Sequence, residues 1–257
     1  LGDVYKRQEL LKAATENFNL PHDVVKLPTG GVFYKSKKKS VKVGYLTAAD
    51  ENLIISALNN NKDGVVMTLL RNKVYEHDLR PEELMDADIQ AILIFLRNTS
   101  FGSEYNLNLV DPITKKTFPT NVSLDELNIK KCEHKPGEDG LYVTTLPRSG
   151  ANVKLKPLSF SDELELDKLA EQYPAGITIP KITWRLNKQI VELNGETDRG
   201  VISQFIESMP ILDSKHIRKF LDENMPGLDL TRTVIAPSGE KVSFDITFGV
   251  EFFRPFF

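Results

Sequence analysis

Three blocks of this chain occur twice, in the same order, and this repetition constrains the fold more than any single motif does. Leu27-Pro28-Thr29-Gly30-Gly31 returns 119 residues later as Leu146-Pro147-Arg148-Ser149-Gly150. Val41-Lys42-Val43-Gly44-Tyr45-Leu46-Thr47-Ala48-Ala49-Asp50-Glu51 returns 112 residues later, beginning at Val153, with five of the eleven positions identical. Asp88, Ile92, Phe95, Leu96, Pro112 and Lys116 meet Asp213, Ile217, Phe220, Leu221, Pro237 and Lys241 at a constant offset of 125. The expectation is an α+β fold of two similar halves from an internal duplication. The repeated residues are structural in type, which points to a scaffold or binding protein rather than a catalyst carrying its chemistry twice.

With 257 residues, 40% of them hydrophobic, the chain can bury one large core or two of ordinary size. Lys135-Pro136-Gly137-Glu138-Asp139-Gly140 is the best boundary, giving a first half at residues 9–135 and a second at 141–257. Residues 1–8, Leu1-Gly2-Asp3-Val4-Tyr5-Lys6-Arg7-Gln8, resemble translated sequencing adapter and are set aside as non-native. No apolar run approaches the roughly 20 residues of a membrane span, and the N-terminus lacks the pattern of a secretory signal. A single cysteine, Cys132, excludes an intrachain disulfide and a thiolate-rich metal site, and suits a reducing cytoplasm.

Periodicity predicts a helix over residues 9–18, then in the first half strands at 24–27 and 41–46 around a turn. A helix follows, capped by Thr47 with Asp50 and Glu51 at its positive end, and Ser159 with Asp162 and Glu163 repeats that arrangement. Each Asp-Glu pair reads as helix-start electrostatics, since neighbouring residues on a helix point about 100° apart and cannot converge on one atom. A helix opened by Pro81 and stopped at Gly102 carries Arg97 near its negative end; its counterpart starts at Asp213, a plausible N-cap. Each leads into a β-hairpin, one turning at Asp111-Pro112-Ile113-Thr114 and the other at Pro237-Ser238-Gly239-Glu240. In residues 179–193, Ile182, Trp184, Leu186, Lys188 and Ile190 share an alternating face, which predicts an extra strand region without a partner in the first half.

The chemistry-bearing residues do not assemble into a motif. His22, His77, His134 and His216 are isolated, and His134 near Cys132 offers two metal ligands at most. Thr29-Gly30-Gly31 lacks the continuation of a phosphate loop. No catalytic residue, cofactor or metal is assigned, and an enzyme is not expected. A net charge of −3 argues against non-specific nucleic-acid binding, with the basic run from Lys35 to Lys39 as the exception. Phe252, Phe253, Arg254, Phe256 and Phe257, preceded by Phe248, crowd the C-terminus. They either form a solvent-facing patch for a protein partner or tuck back onto the core of the second half.

Taken together, the residues resemble the baseplate hub subunit family of T4-like tailed bacteriophages. The resemblance is carried by Val25-Lys26-Leu27-Pro28-Thr29-Gly30-Gly31-Val32-Phe33-Tyr34, Leu46-Thr47-Ala48-Ala49-Asp50-Glu51, and Ile94-Phe95-Leu96-Arg97 with Phe101-Gly102-Ser103-Glu104-Tyr105. In the second half it rests on Ile182-Thr183-Trp184-Arg185-Leu186, Met225-Pro226-Gly227-Leu228-Asp229-Leu230 and Glu251-Phe252-Phe253-Arg254-Pro255. It implies a structural or assembly role in a contractile-tail baseplate, with other baseplate or tail proteins as partners and self-association open. The expected location is the host bacterial cytoplasm during assembly and the virion tail baseplate. In similar proteins the hairpin turns look like zinc-ribbon knuckles; here Asp111-Pro112-Ile113-Thr114 and Ala236-Pro237-Ser238-Gly239 hold no cysteine, so metal binding is not carried over. A transient assembly chaperone, and a nucleic-acid-binding module descended from zinc ribbons, are the alternative readings.

Overall fold

The computed structural model describes residues 21–60, 64–125, 127–174, 176–248 and 250–253. The predicted helix at 9–18 and the adapter-like residues 1–8 lie outside them. The fold is α+β, built from helices and small antiparallel sheets.

Strands β1 (His22–Lys26) and β2 (Ser40–Gly44) pair antiparallel, with His22 opposite Gly44 and Lys26 opposite Ser40. Alternation sends Val25, Val41 and Val43 into the core, while Val24 stays exposed. Helix α1 (Ala48–Asn60) follows a reciprocal cap: Asp50 accepts from the Thr47 N–H at 2.7 Å and its hydroxyl at 2.6 Å. Helix α2 (Val65–Lys73) ends in a bridge from Val74 to Val43. After a 3₁₀ turn, Pro81–Glu83, helix α3 (Asp86–Phe101) buries Ile89, Ile92, Leu93 and Leu96 at helical spacing, and Gly102 closes it at φ 82°. Strands β3 (Glu104–Val110) and β4 (Thr117–Ser123) form the first long hairpin.

Residues 141–257 also begin with a strand pair and end with a long hairpin, with helices between. Strands β5 (Tyr142–Thr145) and β6 (Asn152–Leu155) pair, then helix α4 (Phe160–Glu171) starts from a capping box of Ser159 and Asp162. Residues 179–193 differ from the expectation. Lys181–Gln189 is a helix, α5, and only β7 (Ile190–Leu193) is a strand, paired with β6. Ile182, Leu186 and Ile190 also fall at helical i, i+4 spacing, and over so short a run the two periods cannot be separated. A similar passage occurs in the first half, where α2 is also nine residues long and passes directly into the Val74 bridge, as α5 passes into β7. Helices α6 (Arg199–Glu207) and α7 (Ile211–Asn224) lead to the second long hairpin, β8 (Thr231–Ile235) with β9 (Lys241–Asp245), and a closing 3₁₀ turn, Val250–Phe253. Asp213 is not the N-cap of α7. It sits in the first turn after Pro210 and caps a different segment, described below.

Two apolar cores result. One gathers Val25, Val41 and Val43 with Ile54, Ile92, Leu96 and Val122, and the other gathers Tyr142, Val153, Leu155, Ile190, Ile202 and Ile217. Phe33 and Met225 pack against both. The first core also takes Ile246, Phe252 and Phe253 from the far end of the chain, so the halves are interlocked. The boundary segment at residues 135–140 packs against the first half: a Cβ on Gly140 would meet the Val32 carbonyl at 2.8 Å, and the Lys37 ammonium donates to the Glu138 carbonyl at 2.7 Å.

Candidate functional site

The charged residues of the repeated blocks brace the fold from inside. At the start of α3, Asp88 is buried and accepts from the Thr29 N–H at 3.0 Å, the Thr29 hydroxyl at 2.6 Å and the Tyr34 hydroxyl. The Tyr34 oxygen in turn accepts from the Met85 N–H at 2.9 Å. Burial pushes the Asp88 carboxyl above its ordinary range despite these donors, and burial next to Asp88 pushes the Tyr34 phenol up as well. At the equivalent place in α7, Asp213 accepts from the N–H groups of Arg148 at 2.7 Å and Ser149 at 3.0 Å. Desolvation works against its charge, but these backbone donors outweigh it and hold the carboxyl low.

The Asp-Glu pairs keep the helix-start role read from sequence and add a second one. Asp50, at the start of α1, pairs with the buried Lys73 at the end of α2. Asp162, at the start of α4, pairs with Lys188 near the end of α5 at 3.2 Å. Glu163 pairs with Arg185.

The aromatic C-terminus is not a solvent-facing patch at Phe252 and Phe253. Both are 1% exposed and fill the first core, not that of the second half; Arg254, Phe256 and Phe257 lie outside the described residues. Two aromatic rings buried here are each worth about 1.5–3 kcal/mol. Sequence reasoning placed Arg97 at a helix end but missed what it holds. The guanidinium is 2% exposed and donates to the carbonyls of Phe252 at 3.2 Å, Gly102 at 2.5 Å and Glu104 at 3.2 Å. It also lies 5.0 Å from the Tyr105 ring centre and 5.7 Å from that of Phe252. Burial lowers its pKa.

The two hairpin tips meet. Asp111, 1% exposed, accepts from the N–H groups of Ile113 at 2.9 Å and Thr114 at 3.0 Å in its own turn, and from the Ser238 N–H at 3.0 Å in the other. Desolvation opposes the charge, but the three N–H donors outweigh it and hold the carboxyl at about 2. Below the tips, the segments flanking the hairpins pair through a bridge from Ile129 to Leu228. Nothing in the local sequence signals that Asp111 reaches a turn 127 residues away.

Two of the four lysines of the basic run are engaged in the fold. Lys37 is tied to the Val32 and Glu138 carbonyls, and Lys38 pairs with Glu76 and Asp78, leaving Lys35 and Lys39 exposed. His134 and His216 both lie against Phe220, with ring centres at 5.3 and 6.0 Å. Among the described residues no three His, Cys, Asp or Glu side chains converge on a metal position, and no helix is long and apolar enough to cross a membrane. A cavity of about 380 Å³ at the junction of the halves brings Lys156 and Asp162 opposite Asp78 and Glu83.

No curated protein and no solved structure matches the chain. A family model described as T4 bacteriophage base plate protein matches residues 29–254, a span that includes Asp88, Asp213, both long hairpins and the Arg97–Phe252 closure. On that match, the chain belongs to the T4 bacteriophage base plate protein family.

Proposed function

We propose that this protein is a structural or assembly component of the baseplate hub of a contractile phage tail, acting through protein contacts and catalysing no reaction. The single observation that carries the reading is the family match over residues 29–254. It is supported by where the charged groups of the repeated blocks are spent: Asp50, Asp88, Asp162, Asp213, Arg97 and Asp111 all hold one part of the chain to another. A rigid body that presents surfaces at fixed positions is what a multi-subunit assembly requires. The partners are then other baseplate and tail proteins.

The two halves descend, on this reading, from an internal duplication. The support is the recurrence of turn-to-aspartate clasps at Asp88 and Asp213, of helix-start to helix-end ion pairs at Asp50–Lys73 and Asp162–Lys188, and of helix-to-strand passages at Val74 and Ile190. The joined hairpins resemble a zinc ribbon in which Asp111 does by hydrogen bonding what a metal does by ligation.

Co-expression with the tail proteins encoded beside it, followed by size-exclusion chromatography with light scattering, tests the role. A co-eluting complex of defined stoichiometry is expected; a chain that ignores every tail protein overturns the reading. Quantitative mass spectrometry of purified particles then separates a retained component from a chaperone that leaves.

A further inference from the structure

Hairpin β3–β4 is a two-stranded sheet, so each strand has an outer edge. The Asp111 N–H donates to the Lys116 carbonyl and the Leu124 N–H to the Ser103 carbonyl, which identifies both rungs as hydrogen-bonded. By the alternation of an antiparallel ladder, Glu104, Asn106, Asn108 and Val110 therefore aim their backbone groups outward, as do Thr117, Pro119, Asn121 and Ser123 on the other strand. The two edges differ. On β4 the edge is interrupted by Pro119, which has no N–H to offer, whereas β3 carries neither proline nor lysine to blunt it. Arg97 occupies the Glu104 carbonyl, and the backbone groups of Asn106, Asn108 and Val110 have no hydrogen-bond partner among the described residues.

The side chains point the same way. On the inner face Phe118 and Val122 of β4 are buried, but Tyr105, Leu107 and Leu109 of β3 are only half covered, so the apolar layer continues to the β3 edge. The outer face of β3 is almost uncharged, with Asn106, Asn108 and Val110 exposed and Glu104 its one ionisable group.

We propose that a second copy of this chain adds its own β3 antiparallel to this edge, about a two-fold axis passing at Leu107. Asn106 of each copy then faces Asn108 of the other and exchanges two backbone hydrogen bonds with it. Tyr105 faces Leu109 and Leu107 faces Leu107, which extends the half-covered apolar row across the seam. Glu104 faces Val110, so no like charges meet, and the strand is its own complement in this register. The pairing is independent of which tail proteins the chain contacts.

Sedimentation or light scattering of the full chain tests this. Wild type is expected at twice the mass of one chain. N108P removes an N–H that the hairpin itself does not use, so it is expected at the mass of one chain with an unchanged circular dichroism spectrum. If N108P does not fold, N106K/N108K serves in its place, since it sets lysine against lysine at two rungs and leaves every internal bond. L107C in a C132S background should give a disulfide-linked dimer on mild oxidation. A wild-type protein that stays at the mass of one chain, or a folded N108P or N106K/N108K that stays at twice it, overturns the proposal. So does a dimer in which L107C does not cross-link. Loss of binding to a tail protein in N108P, with wild type otherwise of single mass, assigns the edge to that protein instead.

Discussion

Asp88 and Asp213 occupy the same place in the two halves, yet their environments push them in opposite directions. Each sits in the first turn of a long helix and holds the turn between two paired strands. Both are fully hidden from solvent. Asp88 takes two hydroxyls and one N–H, and burial raises its pKa; Asp213 takes two backbone N–H groups, and they lower it. The same residue type thus holds its turn as a carboxyl pushed up by burial in one half and as one held low by backbone donors in the other. A hydroxyl can rotate to give or to accept, whereas a backbone N–H can only give.

Substitution should widen that contrast. Asp88→Ala strands two buried hydroxyls and an N–H, and is expected to cost about 4 kcal/mol in chemical denaturation, against about 2 kcal/mol for Asp213→Ala. The next largest effect is at the glycines of the clasped turns. Gly31 and Gly150 stand at equivalent positions with φ of 76° and 69°, but a Cβ on Gly31 would lie 2.0 Å from the Lys38 carbonyl oxygen while one on Gly150 meets nothing within 4 Å. Gly31→Ala should therefore cost about 3 kcal/mol or more, and Gly150→Ala only the left-handed backbone penalty of about 1 kcal/mol.

Asparagine is the more discriminating replacement for the aspartates. Asp88→Asn should cost about 1 kcal/mol or less, because Thr29 and Tyr34 can turn their hydroxyls to meet an amide; Asp213→Asn should cost nearly as much as alanine, about 1–2 kcal/mol, because its N–H donors cannot. The pH dependence has opposite signs. Asp213 contributes stability that is present above the unfolded carboxyl value of about 3.9 and lost as pH falls through its lowered folded value, so the gap between wild type and Asp213→Asn should narrow on acidification. For Asp88 the raised folded value means that stability present at low pH is lost as pH rises through it, and Asp88→Asn should compare best with wild type at neutral pH. The smallest effect is expected at the hairpin joint: Asp111→Asn should loosen exchange protection at the Ser238 amide while leaving both hairpins folded. In wild type the same loosening should set in only as pH falls from about 3.9 towards about 2.

The hairpins, the helix caps at Thr47 and Ser159, and the stop at Gly102 were all legible in sequence, because each depends on residues within a few positions of one another. Residues 181–189 were misread because a short run of apolar residues satisfies two periods at once, and only the packing of Leu186 and Gln189 against the rest of the second half selects the helix. The C-terminal rings were legible as a dense apolar group, but the core they fill was not, since that depends on a guanidinium 155 residues away from the Phe252 carbonyl. By itself the sequence determined the local vocabulary, the duplication-like order and the family resemblance. Tertiary structure alone decided that the halves interlock and that Asp111 joins the hairpins, and it alone set opposite electrostatics at Asp88 and Asp213. Burial depth and hydrogen-bond donors are properties of what the folded chain brings near a residue, and no local pattern encodes them.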